Sequence, residues 1–270
     1  MKNILILLTV LFFASCEKVI EADLNTAAPR LVIDAAIKWQ KGTTGNQQTI
    51  KLTTTTGYYK SQIPVVLGAI VKVTNSTNTV FDFTETPNTG IYVCTNFVPV
   101  LGETYSLKVT YGGQTYTATE TLINAPSIIN VEQRNDLGLN SDEIGIKVNF
   151  KDLPNNNDFY LVTYQTPVLA FPFLEVFNDE FFEGNIIFGL FSNKDLKTGN
   201  QIKIELNGVS KPYFNYLTIL TGIANGSGGP FGTVPATTLR GNFTNTINKQ
   251  NYALGYFSLS QTDNLIYTTK

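Results

Sequence analysis

From residue 30 to residue 124 the chain alternates apolar and polar side chains in short runs separated by turn-forming residues, which is the period of strands. The runs are Arg30–Ile37, Gln47–Thr56, Ala69–Thr74, Thr79–Thr84, Gly90–Asn96, Thr104–Tyr111 and Gln114–Ile123. The last two are joined by Gly112-Gly113, and two adjacent glycines supply the positive φ angles that a two-residue hairpin turn requires. Pro64 and Pro99 fall between runs, where the missing N–H costs nothing. Short strands at this spacing predict an immunoglobulin-like β-sandwich over residues 30–124.

Asn124-Ala125-Pro126 marks a boundary, and residues 125–270 predict a second β-rich domain. Its strand-like runs are Ser127–Gln133, Glu143–Phe150, Phe159–Thr166, Gln201–Leu206, Tyr252–Ser260 and Asn264–Thr269. Residues 171–191 are dense in aromatics and give no clear period. One helix is predicted near 211–224: Ser210 can cap it, Pro212 fits its first turn, and Tyr213, Tyr216, Leu217 and Leu220 recur at helical spacing. The fold class is therefore mainly β, with one or two short helices.

The start of the chain has a different pattern. After Lys2 comes an apolar run from Ile4 to Ala14, too short for the about 20 residues that span a bilayer. It matches the apolar region of a signal peptide. The run ends Phe13-Ala14-Ser15-Cys16, which resembles the lipobox of bacterial lipoproteins, with Phe13 where Leu is usual. Residues 1–15 are thus read as a lipoprotein signal peptide, Cys16 as the lipidated residue, and residues 16–29 as a tether. Several acyl chains on Cys16 would hold the protein to a membrane, because each buried CH₂ contributes about 0.8 kcal/mol. Cys94 is the other cysteine of two, and it lies in an alternating stretch as a small buried residue.

Composition narrows the chemistry. The chain has 270 residues, of which 43% are hydrophobic and 12% aromatic, enough for a packed core. Charged residues are only 15% and the net charge is −2, so no strong overall field attracts nucleic acid or an anionic membrane. With 0 histidines, Ser-His-Asp and Cys-His nucleophilic sites and His-ligated metal sites are excluded. No Walker A loop or GxGxxG follows a strand. What remains is carboxylate and aromatic chemistry. Asn178, Asp179, Glu180 and Glu183 place four oxygen-bearing side chains within six positions, a candidate Ca²⁺ set. Asp179, Glu180 or Glu183 could instead serve a glycan hydrolase, whose two carboxylates need a fixed separation. Tyr58 and Tyr59, between Gly57 and Lys60, are candidate ligand-binding aromatics, and Trp39 is either a second such platform or a core plug. The phenylalanines between 171 and 191 read first as core.

The run Asn178-Asp-Glu-Phe-Phe-Glu-Gly184, then Gly199-Asn-Gln-Ile-Lys-Ile-Glu-Leu206, the capped helix, Gly229-Pro-Phe-Gly232 and Ala253-Leu-Gly-Tyr-Phe-Ser258 stand in an order that resembles the domain of unknown function 4249 family. The N-terminal half agrees in Cys16-Glu-Lys-Val-Ile, Arg30-Leu-Val-Ile-Asp34 and Gly113-Gln-Thr-Tyr-Thr-Ala118. Gly229 departs from the Asn usual in that loop. The resemblance implies an outer-membrane lipoprotein of Bacteroidota-type bacteria, often considered alongside TonB-dependent uptake receptors. It implies no established activity and no catalytic residue. The expectation is a non-enzymatic module, membrane-anchored at Cys16, that binds a ligand or an outer-membrane β-barrel receptor. The alternatives are the glycan hydrolase and a structural surface lipoprotein.

Overall fold

Leu31, Ile33, Ala35 and Ile37 alternate with polar or half-exposed neighbours, and β1 (Leu31–Gln40) turns all four into a core. The same period of two drives β2 (Gln48–Thr54), β3 (Ile70–Asn75), β4 (Val80–Thr86), β5 (Ile91–Cys94), β6 (Thr104–Tyr111) and β7 (Gln114–Ile123). In this computed structural model the described residues are 28–57, 60, 62–136, 143–154, 157–182, 184–224 and 239–270. Cys16 with its signal peptide, Tyr58, Tyr59, Glu183 and Gly229–Gly232 lie outside them.

The β6–β7 hairpin forms as the sequence predicts, with Gly112 and Gly113 at φ 56° and 71°. On its outer face hydroxyls meet in register, Thr104 with Thr121 at 3.0 Å and Ser106 with Thr119 at 3.1 Å. Such cross-strand pairs are one use of the chain's many threonines. Cys94 is buried, and burial pushes its thiol up from the usual range.

The last strand, β15 (Leu254–Thr268), decides how these seven strands close. It lies parallel to β1 over nine residue pairs, from Val32↔Leu254 to Gln40↔Thr262. On its other side Leu259 and Ser260 pair in parallel with Leu122 and Ile123 of β7. The sheet therefore runs β15-β1-β2-β5-β4-β3-β6-β7 and returns to β15, a closed, barrel-like ring. Ala253, Phe257 and Leu259 belong to the same core as Ile33, Tyr92, Phe97 and Tyr105. A sandwich confined to residues 30–124 is thus amended, because its closing strand comes from the end of the chain. Sequence spacing suggested two strands, Tyr252–Ser260 and Asn264–Thr269, where one long strand runs through.

Beyond Thr262 the same strand leaves β1 and pairs antiparallel with β13 (Gln201–Val209), from Asn207↔Thr262 to Gln201↔Thr268. β13 continues to β10 (Phe159–Gln165) and to β11 (Phe173–Asn178) at the edge. A second layer of three strands, β8 (Ile128–Arg134), β9 (Gly145–Lys151) and β12 (Ile186–Ser192), packs on this sheet. Between the layers lie Ile146, Val148, Phe150, Tyr160, Val162, Tyr164, Phe191 and Ile204. The aromatic-dense stretch thereby becomes β11 and β12, two strands that its unbroken apolar character hid. A short β14 (Thr244–Asn245) extends the first ring at β7.

The helix Lys211–Ala224 lies where the sequence predicts it. Ser210 caps it, its Oγ accepting from the Tyr213 N–H at 3.3 Å and its carbonyl from the Phe214 N–H at 2.8 Å. Its apolar face covers the outer side of β10 and β11, packing Leu217 on Leu161 and Val209. Tyr213, Tyr216 and Tyr256 form a ring cluster beneath it, with centroids 4.6–6.2 Å apart.

Phe257 is fully buried in the ring although it lies near the end of the chain. Phe257→Ala is expected to cost about 3–5 kcal/mol. Urea unfolding followed by Trp39 fluorescence measures it, since Trp39 packs against the first core. An unshifted Trp39 transition would contradict the shared strand. Gly255 sets a second constraint: at φ +92° its added Cβ would stand 2.1 Å from the Ile33 carbonyl oxygen, so Gly255→Ala should break the parallel pairing.

Glu175 on β11 sits against β12, accepting from the Tyr164 hydroxyl at 3.0 Å and the Leu190 N–H at 3.1 Å. Burial pushes its carboxyl up to about 7, and the two hydrogen bonds only partly oppose this. A carboxyl raised in the folded state contributes stability that is full below its unfolded pKa of about 4.3 and is lost as pH rises through the folded value. Melting temperature should therefore fall between about pH 4.3 and 7. Glu175→Gln, which keeps an acceptor, should flatten that fall.

Candidate binding groove

The turn after β11 was the main sequence candidate, and the fold splits it. Asp179 is 4% exposed, whereas Glu180 is exposed and accepts from the Asn178 side-chain amide at 3.3 Å. Asp179 and Glu180 therefore face different surroundings, and Glu183 lies outside the described residues. Asp179 instead meets two aspartates from other strand ends. Asp158, just before β10, donates its N–H to Asp179 Oδ2 at 2.8 Å, and the Asp179 N–H returns to the Asp158 carbonyl at 3.2 Å. Asp152, just past β9, accepts from the Tyr160 hydroxyl at 2.5 Å and from the Gly184 N–H at 2.8 Å.

Carboxylate oxygens of Asp152, Asp158 and Asp179 all lie within 4.8 Å of one another. Asp152 and Asp158 are the two ends of the β9–β10 connection and Asp179 opens the β11–β12 connection. Burial pushes the Asp158 carboxyl above the usual range, and the charges of Asp152 and Asp179 push it the same way. Its Oδ2 is buried and has no hydrogen-bond partner among the described residues. Tyr160 is raised by burial first and then by its bond to Asp152. Among the described residues these three aspartates are spaced to hold a hard cation, which takes oxygen ligands at about 2.3–2.6 Å.

In front of Asp158 and Asp179 opens a groove of about 890 Å³ between the β10–β11 end, β7 and the helix start. Its acidic side is Asp158, Asp179 and Glu180; its opposite wall is Glu120 of β7, with Ser210 and Lys211 at the helix start. Phe159 and Phe214, 4.9 Å apart, line it with apolar surface. Glu120 accepts from the Ser210 hydroxyl at 2.9 Å, so the helix cap is tied to the first ring. Burial raises the Glu120 carboxyl, partly offset by hydrogen bonds from Thr121, Ser210 and Tyr256.

Trp39 is half-buried against the first core, and its indole N–H donates to the Thr43 carbonyl at 2.9 Å. That places it as a brace for the β1–β2 loop, on the core side of the two expectations. Sequence reasoning missed Asp152, Asp158 and Glu120. Asp152 and Asp158 are close in linear order, at the two ends of the β9–β10 connection, but Asp179 and Glu120 join that corner only once the strands are registered.

Comparison with known proteins gives one family. A model described as "Domain of unknown function (DUF4249)" matches residues 17–265. No curated protein matches. Among solved structures the chain is similar to a two-domain fibronectin type III segment of chicken tenascin, at 11% identity over 67% of this chain and 90% of that one, with a TM-score of 0.22. It is similar to a DUF4785 family protein from Legionella pneumophila, at 13% identity over 66% of this chain and 52% of that one, with a TM-score of 0.26. It is also similar to the FN1–FN3 domains of chicken CNTN1, at 15% identity over 67% of this chain and 60% of that one, with a TM-score of 0.26. At such scores these likenesses carry no argument about activity.

Asp158→Asn removes the most strained charge of the cluster. The wild-type carboxyl contributes stability below its unfolded pKa of about 3.9 and loses it as pH rises through the raised folded value. The variant is therefore expected to melt higher than wild type at neutral pH without added metal, by about 1–2 kcal/mol on the scale of a buried polar group left unsatisfied. If Ca²⁺ fills the cluster, CaCl₂ should raise the wild-type melting temperature and leave the variant unmoved. Titration calorimetry showing no heat at millimolar CaCl₂ would remove the metal from consideration.

Proposed function

The chain belongs to the DUF4249 family, and from that premise we propose that it is a non-enzymatic binding module of the cell envelope, anchored through lipidated Cys16. The observation that carries this reading is how the carboxylates of the groove are engaged. Asp179 and Glu120, which line the groove, accept from Asp158 and Ser210, and Asp152, clustered with Asp179, accepts from Tyr160 and Gly184. Groups fixed in this way make a rigid rim suited to recognition. The alternative is a carboxylate-dependent glycan hydrolase, which needs two carboxyls at a set separation.

The partner we propose is an outer-membrane β-barrel receptor of the TonB-dependent kind, met at the groove. The rim residues Glu180 and Lys211 are exposed and would contact it directly. The low overall charge supports recognition through hydroxyl, amide and aromatic groups, with a few charges setting the register.

Affinity purification of the tagged lipoprotein from solubilised membranes tests this. A β-barrel protein should co-purify, and Glu180→Gln/Lys211→Gln should lower its recovery at least tenfold while the melting temperature stays unchanged. Recovery of no barrel and no substrate-binding protein under any growth condition would overturn the proposal. So would sugar release by the purified chain that Asp179→Asn abolishes.

A further inference from the structure

At the end of the first ring where the described chain begins, basic groups gather without a counter-charge. Arg30 stands immediately before β1, and Arg240 and Tyr252 belong to the segments that flank β14. The guanidinium carbons of Arg30 and Arg240 each lie 4.0 Å from the centroid of the Tyr252 ring. The two cations are therefore within twice that distance of each other. Lys249 lines the same small cleft, of about 210 Å³, with Arg240 and Tyr252. Arg30 is held in place by donation from Nη1 to the Gln250 carbonyl at 3.3 Å. Among the described residues no carboxylate forms an ion pair with Arg30, Arg240 or Lys249; the pairs found are Lys38 with Glu205, Lys72 with Asp82 and Arg134 with Asp136.

Two guanidiniums on one ring, with the Lys249 ammonium lining the same cleft as one of them, repel one another unless an anion sits among them. Guanidinium forks match phosphate oxygens in pairs, and the tyrosine ring holds both arginines through its face. Ile247, two residues before Lys249 in the chain, is 63% exposed, and Lys249 and Arg240 are exposed as well. An exposed aliphatic side chain beside Tyr, Arg and Lys is the make-up of a surface that rests at a lipid interface, with basic groups on the phosphates and apolar groups below them.

The length of chain outside the described residues says which anion is near. Twelve residue steps separate Cys16 from Ala28, at most about 40 Å of chain, and Arg30 is two residues further on. An acyl-anchored Cys16 would thus keep this corner within reach of the headgroups. We propose that the Arg30–Arg240–Lys249 cluster with Tyr252 and Ile247 docks on the anionic phospholipid surface of the anchoring membrane. This rests on the anchored reading of Cys16 only for the nearness of the membrane.

The test uses residues 17–270, which keep both cores, the first core residue being Leu31. Co-sedimentation is measured with phosphatidylcholine vesicles with and without phosphatidylglycerol. Binding should require phosphatidylglycerol and vanish at about 1 M salt, where the Debye length falls to about 3 Å. Arg30→Gln/Arg240→Gln/Lys249→Gln should weaken it at least tenfold. Arg240→Gln/Lys249→Gln, confined to exposed side chains, should weaken it in the same direction and guards against a folding defect at Arg30. Lys194→Gln/Lys197→Gln, away from the cluster, should leave it unchanged. Failure to sediment with phosphatidylglycerol, equal binding to neutral vesicles, or wild-type binding by both cluster variants would overturn the docking. Binding of inorganic phosphate without vesicle binding would overturn it too, reassigning the cluster to a free anion. Mass spectrometry of the mature protein separates the two ideas: a Cys16 without acyl chains would sink the anchor and leave the vesicle result standing.

Discussion

The parallel pairing of β1 with the last strand is the interaction on which the rest depends. A parallel pair needs a long crossover, and here the crossover is nearly the whole protein. It fixes Phe257 and Leu259 in the first core and lets the same strand enter the second sheet after Thr262. Gly255 makes the close approach to Ile33 possible, and Lys38 pairs with Glu205 from the flanking strands on either side of β15. The two β-rich halves therefore share one strand and one continuous run of backbone hydrogen bonds. Contacts this far apart in sequence form late and tie the halves into one cooperative unit.

Charge is sparse, and the fold concentrates it. Acidic groups converge where three strand ends of the second half meet the cap of the helix. Basic groups converge on Tyr252 at the start of the first ring. Neither cluster is visible as a run of like charge. Between them the buried ionisable groups are mostly tyrosines and carboxyls in contact, such as Tyr160 with Asp152 and Tyr164 with Glu175, where one hydroxyl donor satisfies a carboxyl that burial would otherwise penalise. A chain without histidine can still hold a group that titrates near neutrality, and Glu175 is that group.

Reading by period was dependable wherever one face of a strand is wet. β1 to β7, the Gly112-Gly113 turn and the Ser210-capped helix all follow from local spacing, since their side chains alternate between core and solvent. Residues 171–191 defeated that reading. Ile186, Phe188 and Leu190 are apolar on the outward face while Ile187 and Phe191 fill the inward one, so no alternation marks β12. Asp179 stands out in the sequence as a carboxylate among acidic neighbours, and the fold brings two further aspartates to it. Its partners Asp152 and Asp158 are set by strand register, which a single sequence does not state.

By itself the sequence determined the mainly β class, the family, the absence of histidine chemistry and the helix with its cap. Each depends on local preference or on composition, and local preference acts over a few residues at a time. Only the tertiary structure decided that β15 closes the first ring, that three aspartates share one corner and that two arginines share one ring. Those arrangements depend on which distant strands pair and in what register. That choice is made by burial of whole faces and by closure of backbone hydrogen bonds, not by the residues on either side of each position.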